Sequence, residues 1–140
     1  MATEHLCLEL HEVQIFETEA KVNTRKQGAQ KEEVVCAYLL SKGIRICEQN
    51  FRSRQGEIDI IGYDGEYLVF FEVKYRSSGS KGTAAEAVGY AKQKRICRVA
   101  DYYRVVHHCM EDTPIRFDVV AVDGENIAWI KDAFAYLAWR

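Results

Sequence analysis

Hydrophobic residues recur along two segments of the chain at the spacing of an amphipathic helix. Residues 28–42 and residues 84–108 each carry apolar side chains three and four positions apart, so that these side chains share one helical face. The apolar stripes consist of Val35, Tyr38 and Leu39 in the first segment, and of Ile96, Val99, Ala100 and Tyr103 in the second. Gly43 follows the first stripe and is suited to end a helix. The pattern therefore predicts helices over residues 28–42 and 84–108.

The other apolar segments are short and bounded by turn-forming residues, which is typical of strands. They span residues 44–51, 57–62, 67–75, 115–122 and 126–130. Residues 131–139 are predicted to close the chain as a helix. Helices that flank a central sheet give an α/β fold, here a three-layer α/β/α sandwich.

Residues 1–23 are predicted to be an acidic extension that precedes a single domain over residues 24–140. Apolar residues alternate with polar ones from Leu6 to Ile15, so the extension forms either an added strand or a mobile arm. Its first 20 residues hold five acids and no Lys or Arg, which is the wrong charge for a secretory signal. No apolar run of the chain reaches the roughly 20 residues of a membrane-spanning helix. We therefore expect a cytoplasmic protein with no membrane partner.

The acidic and basic residues are distributed unevenly along the chain, which the net charge of −2 does not show. Beyond residue 20 the chain holds 19 basic and 16 acidic residues, so the acidic extension masks a mildly basic body. The five cysteines form no CxxC pair and no zinc-like spacing, and we expect them to be reduced and mostly buried. Composition alone therefore leaves nucleic-acid binding open and argues against a zinc or disulfide framework as the basis of the fold.

The strands over 57–62 and 67–75 carry the candidate chemistry. Asp64-Gly65 lies between them and favours a tight hairpin turn, because glycine accepts positive φ. Both strands are rich in Val, Ile, Leu and Phe, which predicts a central hairpin that is covered on both faces. Three ionisable residues interrupt this apolar pattern, namely Asp59, Glu72 and Lys74. An ionised side chain in such surroundings needs a partner or a metal.

The pairing register of the two strands decides whether Asp59 and Glu72 lie on the same face of the sheet. With Asp64-Gly65 as a two-residue loop, Asp59 is predicted to lie opposite Phe70 and on the same face as Glu72 and Lys74. The acids would then be diagonal neighbours, roughly 7–8 Å apart at Cα. A three-residue loop would place them on opposite faces. Glu57 also falls on this face in the predicted register and is a candidate third ligand.

Two acids and a lysine on one face suit phosphodiester hydrolysis. Carboxylate oxygens bind Mg²⁺, which can neutralise a scissile phosphate and lower the pKa of a bound water. Lys74 can orient that water or stabilise charge in the transition state. The alternative is a buried ion pair between Lys74 and one of the acids that only stabilises the sheet.

The segments Gly56-Glu-Ile-Asp-Ile60 and Phe70-Phe-Glu-Val-Lys-Tyr-Arg76 resemble the core of the restriction-endonuclease superfamily, whose signature is Asp, then Asp or Glu, any residue, and Lys. A longer ordered set resembles the YraN-like family of small predicted endonucleases, which are distant relatives of archaeal Holliday-junction resolvases. The matching positions include Gly28, Glu32, Tyr38-Leu39, Gly43, Asn50-Phe51-Arg52, Gly82, Lys92, Ile96, Arg116-Phe117-Asp118 and Ala133-Phe134. The resemblance covers about residues 24–135.

This resemblance implies a restriction-endonuclease-like fold with a central mixed sheet. It also implies that Asp59 and Glu72 bind Mg²⁺ or Mn²⁺ and that Lys74 is the catalytic lysine. Glu32 matches an acid on the family's first helix that can reach the metal or its water. The sequence departs from the family at Lys31 and Ala84, both outside the predicted metal cluster.

Basic residues near the predicted cleft are candidates for phosphate contacts. They are Arg52, Arg54, Arg76, Lys92 and Arg95. No base-reading motif is recognisable, so we expect selection of branched or structured DNA by shape, and a homodimer is a hypothesis by analogy with resolvases. Two other functions stay open: a non-catalytic nucleic-acid-binding or protein-interaction module, and an exonuclease or RNA-directed nuclease with the same site.

Overall fold

The computed structural model describes residues 19–76 and 88–138, which form two helices and five strands. In chain order these are α1 (Glu19–Ser41), β1 (Arg45–Ser53), β2 (Gly56–Asp64), β3 (Tyr67–Arg76), α2 (Tyr90–Val106), β4 (Ile115–Asp123) and β5 (Asn126–Phe134). The chain divides into two compact units, residues 1–37 and residues 38–140. The first contains most of α1, and the second contains the end of α1, the sheet and α2. The predicted strand or arm over residues 1–18 and the predicted loop over 79–82 lie outside the described residues.

The five strands form one mixed sheet in the order β1-β2-β3-β4-β5. All neighbouring strands are antiparallel except β3 and β4, which are parallel. Parallel strands need a crossover connection, and α2 lies in the segment that connects β3 to β4. The α/β class and the mixed sheet that the sequence predicts are therefore confirmed.

One face of the sheet is covered by α2. The predicted stripe is buried: Ile96, Val99, Ala100 and Tyr103 are each at most 5% exposed. These side chains pack against Ile58, Ile61, Leu68, Phe70 and Phe117 of the sheet. The apolar face of α2 thus explains why this helix forms and why it lies over β2 and β3.

The helix bounds differ from those predicted. The first helix begins at Glu19 rather than at residue 28, so it crosses the predicted boundary between extension and domain. Val88 and Gly89 are the first residues that the structure describes after residue 76, and they precede α2. This helix begins at Tyr90 and ends at Val106. No helix in the described part of the chain is long and apolar enough to cross a membrane.

The β2–β3 hairpin turns one residue later than predicted. Asp64 pairs with Tyr67, so the loop is Gly65-Glu66 rather than Asp64-Gly65. Gly65 has φ of 59°, whereas Glu66 does not have positive φ; this fits a turn that needs positive φ only at its first central residue. The predicted register, with Asp59 opposite Phe70, is therefore wrong, because Phe70 pairs with Ile61. The shift is two residues, so each side chain keeps its predicted face.

The helix predicted over residues 131–139 is also wrong. β5 continues to Phe134, which pairs with Phe117 and stacks on its ring at 5.1 Å between centroids. The strand bends at Asp132, which has φ of 54° and donates its N–H to Asp118 Oδ1 at 2.9 Å. A contact between distant residues thus overrides the local pattern.

Asp118 is fully buried, and its carboxylate is surrounded by donors. Arg116 donates from Nε at 2.9 Å and from Nη2 at 2.8 Å, and Trp129 donates from Nε1 at 2.8 Å. Arg116 Nη2 also lies 2.8 Å from Asp64 Oδ2. This network joins β2, β4 and β5, and every charge in it is paired.

Replacing Arg116 with methionine should strongly destabilise the protein. The substitution leaves the buried Asp118 carboxylate without its cation, which costs about 3–5 kcal/mol in such pairs. Urea unfolding at pH 8 measures the loss. Lys131→Met is the matched control, because Lys131 is exposed and lies 3.5 Å from the same Asp64, and it should cost at most about 1 kcal/mol. Equal losses in the two variants would show that Asp118 does not depend on Arg116.

Candidate active site

The candidate site lies where β2 and β3 separate. Their ladder ends at the pair Ile60–Phe71. Beyond it, β2 stays paired with β1, and β3 stays paired with β4. Asp59 and Glu72 are the first residues past the end of the ladder, one on each strand. Asp59 Oδ2 accepts the N–H of Val73 at 2.8 Å, so a side chain satisfies a backbone donor that no β2 carbonyl reaches.

Asp59 and Glu72 lie close enough for the charge of Glu72 to act on the Asp59 carboxyl group. Burial of Asp59 and then the negative charge of Glu72 raise the pKa of Asp59 to about 6, against an opposing effect of the Val73 N–H and Lys92. Glu72 itself is buried, with 5% exposure. The two acids that the sequence predicts to be neighbours are therefore brought together, as the first residues beyond the last pair of the ladder.

Two lysines compensate this pair. Lys74 Nζ lies 4.0 Å from Glu72 Oε1, as expected for side chains two residues apart on one face. Lys92, from the first turns of α2, makes a direct ion pair with the same Glu72 oxygen. Burial acts to lower the pKa of Lys92, but its contacts with Glu72 and Asp59 outweigh burial and raise that pKa.

The position of Lys92 is the main feature of the site that the sequence analysis missed. Lys92 was predicted to contact phosphate, whereas in the structure it contacts the acid pair. The signal was present, because Lys92 lies four residues before Ile96 and so extends the buried stripe of α2 by one turn. A lysine on the core-facing side of a helix requires an acid opposite it.

The other two predicted acids are not part of this pair. Glu57 instead lies 3.3 Å from Arg52 on the neighbouring strand β1. In the described part of the chain, no group of three or more His, Cys, Asp or Glu side chains is placed to hold a metal ion. Glu32 lies in α1, in the unit over residues 1–37, and its role stays a prediction.

Three of the predicted phosphate contacts lie at the turn between β1 and β2 or near it. Arg52 and Arg54 belong to this exposed turn region. Gly56 lies against α2, where a Cβ on Gly56 would stand 3.9 Å from Cβ of Arg95. Gly56 and Asp59 are three residues apart on β2, a span of about 10 Å. Basic side chains thus flank the acid pair on one side, while the side chain of Arg76 lies outside the described part.

Replacing Asp59 with asparagine should stabilise the metal-free protein at pH 8. Because the pKa of Asp59 is raised from 3.8 to about 6 on folding, its contribution to stability falls as pH rises through that range. Asparagine keeps the acceptor for Val73 N–H and removes the buried charge, a gain of up to about 3 kcal/mol at pH 8. The gain should shrink towards pH 4. Urea unfolding in EDTA at both pH values measures it.

Asp64→Asn is the matched control with the opposite sign. The hydrogen bond from Arg116 holds the pKa of Asp64 below its usual value, so the ionised form stabilises the fold at pH 8. Its loss should destabilise the protein at pH 8. Destabilisation by both substitutions would mean that the Asp59 charge is already compensated in the folded protein.

Comparisons with known proteins identify the family. The model of the uncharacterised protein family UPF0102 matches residues 31–122. A UPF0102 protein of Lachnoclostridium phytofermentans is 45% identical over 113 residues, which cover 81% of this chain and 96% of the relative. A second, from Nitrosococcus oceani, is 41% identical and covers 79% of this chain and 92% of the relative. A third, from Thermodesulfovibrio yellowstonii, is 40% identical and covers 82% and 98%. The chain therefore belongs to the UPF0102 family, the YraN-like group that its motifs predict.

Proposed function

We propose that the protein is a metal-dependent nuclease that hydrolyses phosphodiester bonds in DNA. The observation that carries the proposal is the contact between Asp59 and Glu72 at the point where β2 and β3 separate, with Lys74 on the same face. An acid with a raised pKa beside a second acid and two lysines is more typical of a reactive site than of a structural ion pair.

The donor set fits a Mg²⁺ or Mn²⁺ ion. Mg²⁺ is usually bound by one or two carboxylates, with waters and substrate phosphate completing its shell, so Asp59 and Glu72 are sufficient protein ligands. Burial and the charge of Glu72 raise the pKa of Asp59, and a divalent ion held by both carboxylates would offset both effects. A divalent ion held there would lower the pKa of a bound water and neutralise the phosphate.

Lys74 is proposed to be the catalytic lysine. Its ammonium lies beside Glu72 but outside the direct ion pair that Lys92 makes, so it can donate to a phosphate oxygen while it stays near the acids. A fixed positive charge at this position stabilises the negative charge that develops on the phosphate during hydrolysis. The attacking group is water, and no covalent nucleophile is needed.

The substrate is proposed to be branched or structured DNA. Arg54 precedes the first residue of β2 by two positions and Arg95 lies near Gly56, and phosphate contacts from such residues position a nucleic acid without reading its sequence. The preference for branched DNA, the homodimer and the cytoplasmic location rest on the sequence and its family resemblance and stay predictions.

One observation favours a second function, a non-catalytic nucleic-acid-binding module. Lys92 pairs with Glu72 directly, so the buried acid has a cationic partner without a metal. In that function the Asp59–Glu72–Lys92 contacts stabilise the sheet, and only the basic residues contact the nucleic acid. The two functions differ in one measurable respect, which is turnover.

Cleavage should depend on the metal and on the acid pair. Purified protein is incubated with labelled four-way junction, flap, duplex and single-stranded DNA and with RNA, in Mg²⁺, Mn²⁺ or EDTA. We expect cutting with metal only, and a loss of about 100-fold or more in Asp59→Asn, Glu72→Gln and Lys74→Met, since these remove metal ligands or transition-state charge stabilisation. End-labelled products separate endonuclease from exonuclease.

The matched control is Glu66→Gln, because Glu66 is exposed in the turn of the same hairpin. It should cut at the rate of the unchanged protein. Binding to DNA without cutting under every metal would instead support the non-catalytic module. Cutting that persists in all three site variants would place the active site elsewhere.

Arg54 and Arg95 should contribute to DNA affinity through phosphate contacts. In the Asp59→Asn background without metal, Arg54→Gln and Arg95→Gln should each weaken binding to every sequence and lower the slope of log K against log salt by about one. Lys131→Gln is the control: Lys131 contacts Asp64, eight residues from Gly56 along β2 and about 26 Å away. Equal effects of all three substitutions would indicate only a general charge effect.

A further inference from the structure

Lys92 holds the position that a bound cation would take. Its ammonium contacts Glu72 Oε1, while Lys74 lies 4.0 Å from the same oxygen. Glu72 is buried and fixed in β3, with 5% of its side chain exposed. A carboxylate with this burial needs a positive charge at all times, whether or not a metal is bound.

We propose that Lys92 is an exchangeable counter-ion of Glu72, which neutralises the acid in the metal-free protein and leaves it when a divalent ion binds. The inference rests on the metal site of the proposed function and adds a residue to it. It replaces the sequence prediction that Lys92 is simply one of several phosphate contacts.

Exchange follows from the geometry of the ion pair. A Mg²⁺ ion lies about 2.0–2.1 Å from a carboxylate oxygen, and an ammonium about 2.8 Å, so both on Oε1 would repel each other at short range. Glu72 cannot move away, because it is buried in a strand that β4 pairs along its whole length. Lys92 can move, because its side chain is 37% exposed and its long stem begins in the second residue after the start of α2. The ammonium is therefore the group that leaves.

The displaced ammonium is then free to contact a phosphate. In the metal-free protein Lys92 is held by Glu72 and contributes little to DNA binding. With a metal ion at Glu72, the released ammonium would be available to a phosphate that the ion attracts. Metal and DNA should therefore each raise the affinity of the protein for the other, and part of this coupling should depend on Lys92.

Mn²⁺ binding to the full-length protein tests the exchange directly. Calorimetric titration at pH 8 without DNA compares the unchanged protein with Lys92→Met, Lys92→Arg and Lys94→Met, each checked for folding by circular dichroism. Lys92→Met should bind Mn²⁺ about tenfold more tightly or better, because no ammonium competes for Glu72. Lys92→Arg keeps the competing charge and should bind no more tightly than the unchanged protein.

Lys94→Met is the matched control. It removes the same charge two residues further along α2, where Lys94 lies over the ring of Tyr90 at 4.8 Å. It should change the affinity for Mn²⁺ by less than about threefold, because its charge is screened by solvent. An equal gain in Lys92→Met and Lys94→Met would overturn the exchange in favour of a general charge effect.

Glu72→Gln separates failure of the inference from failure of the proposed function. If the unchanged protein binds Mn²⁺ and Glu72→Gln does not, the metal site stands. In that case unchanged or weaker binding by Lys92→Met overturns the exchange alone and makes Lys92 a structural partner. If neither the unchanged protein nor Lys92→Met binds Mn²⁺, both the metal site and the exchange are overturned. Binding that appears only in Lys92→Met supports the exchange in its strongest form.

Discussion

The charge of Glu72 is the constraint on which the rest of the site depends. A carboxylate buried in a central strand is stable only if cations and donors surround it. Lys92 provides a direct ion pair, and Lys74 adds a second positive charge. The separation of β2 from β3 at this residue brings Asp59 into contact and leaves Val73 N–H to the Asp59 side chain. Helix packing, strand pairing and protonation at this point are thus consequences of a single buried charge.

The adjacency of Asp59 and Glu72 could be predicted from sequence because it depends on parity rather than on exact register. The turn lies one residue later than predicted, which moves the partner strand by two residues and keeps every side chain on its face. A glycine after an aspartate identifies a tight turn reliably, but not which of its two positions the glycine takes. β4 and β5 likewise turn at Gly124-Glu125, because Asp123 pairs with Asn126.

The features that sequence did not predict depend on contacts between distant residues. β5 extends to Phe134 because Asp118, fourteen residues away, accepts the N–H of Asp132. No local pattern in residues 131–134 contains that information. The role of Lys92 could be predicted only in part. Its place on the stripe of α2 follows from the sequence, but its partner depends on how α2 crosses the sheet. Glu57, the second residue of β2, lies 3.3 Å from Arg52 on β1, a contact that depends on how these two strands pair.

Two carboxylates of β2, Asp59 and Asp64, show why the acid pair is a candidate for chemistry and not merely a buried network. At Asp64, Arg116 and Lys131 supply more positive charge than one carboxylate needs, and the pKa of Asp64 falls below its usual value. At Asp59, burial and Glu72 outweigh Lys92 and raise the pKa to about 6. Both sites lie on the same strand and use the same residue types. Asp64 therefore belongs to a network that gains stability from its charge, whereas burial and the neighbouring Glu72 disfavour the ionised form of Asp59, which is typical of groups at functional sites.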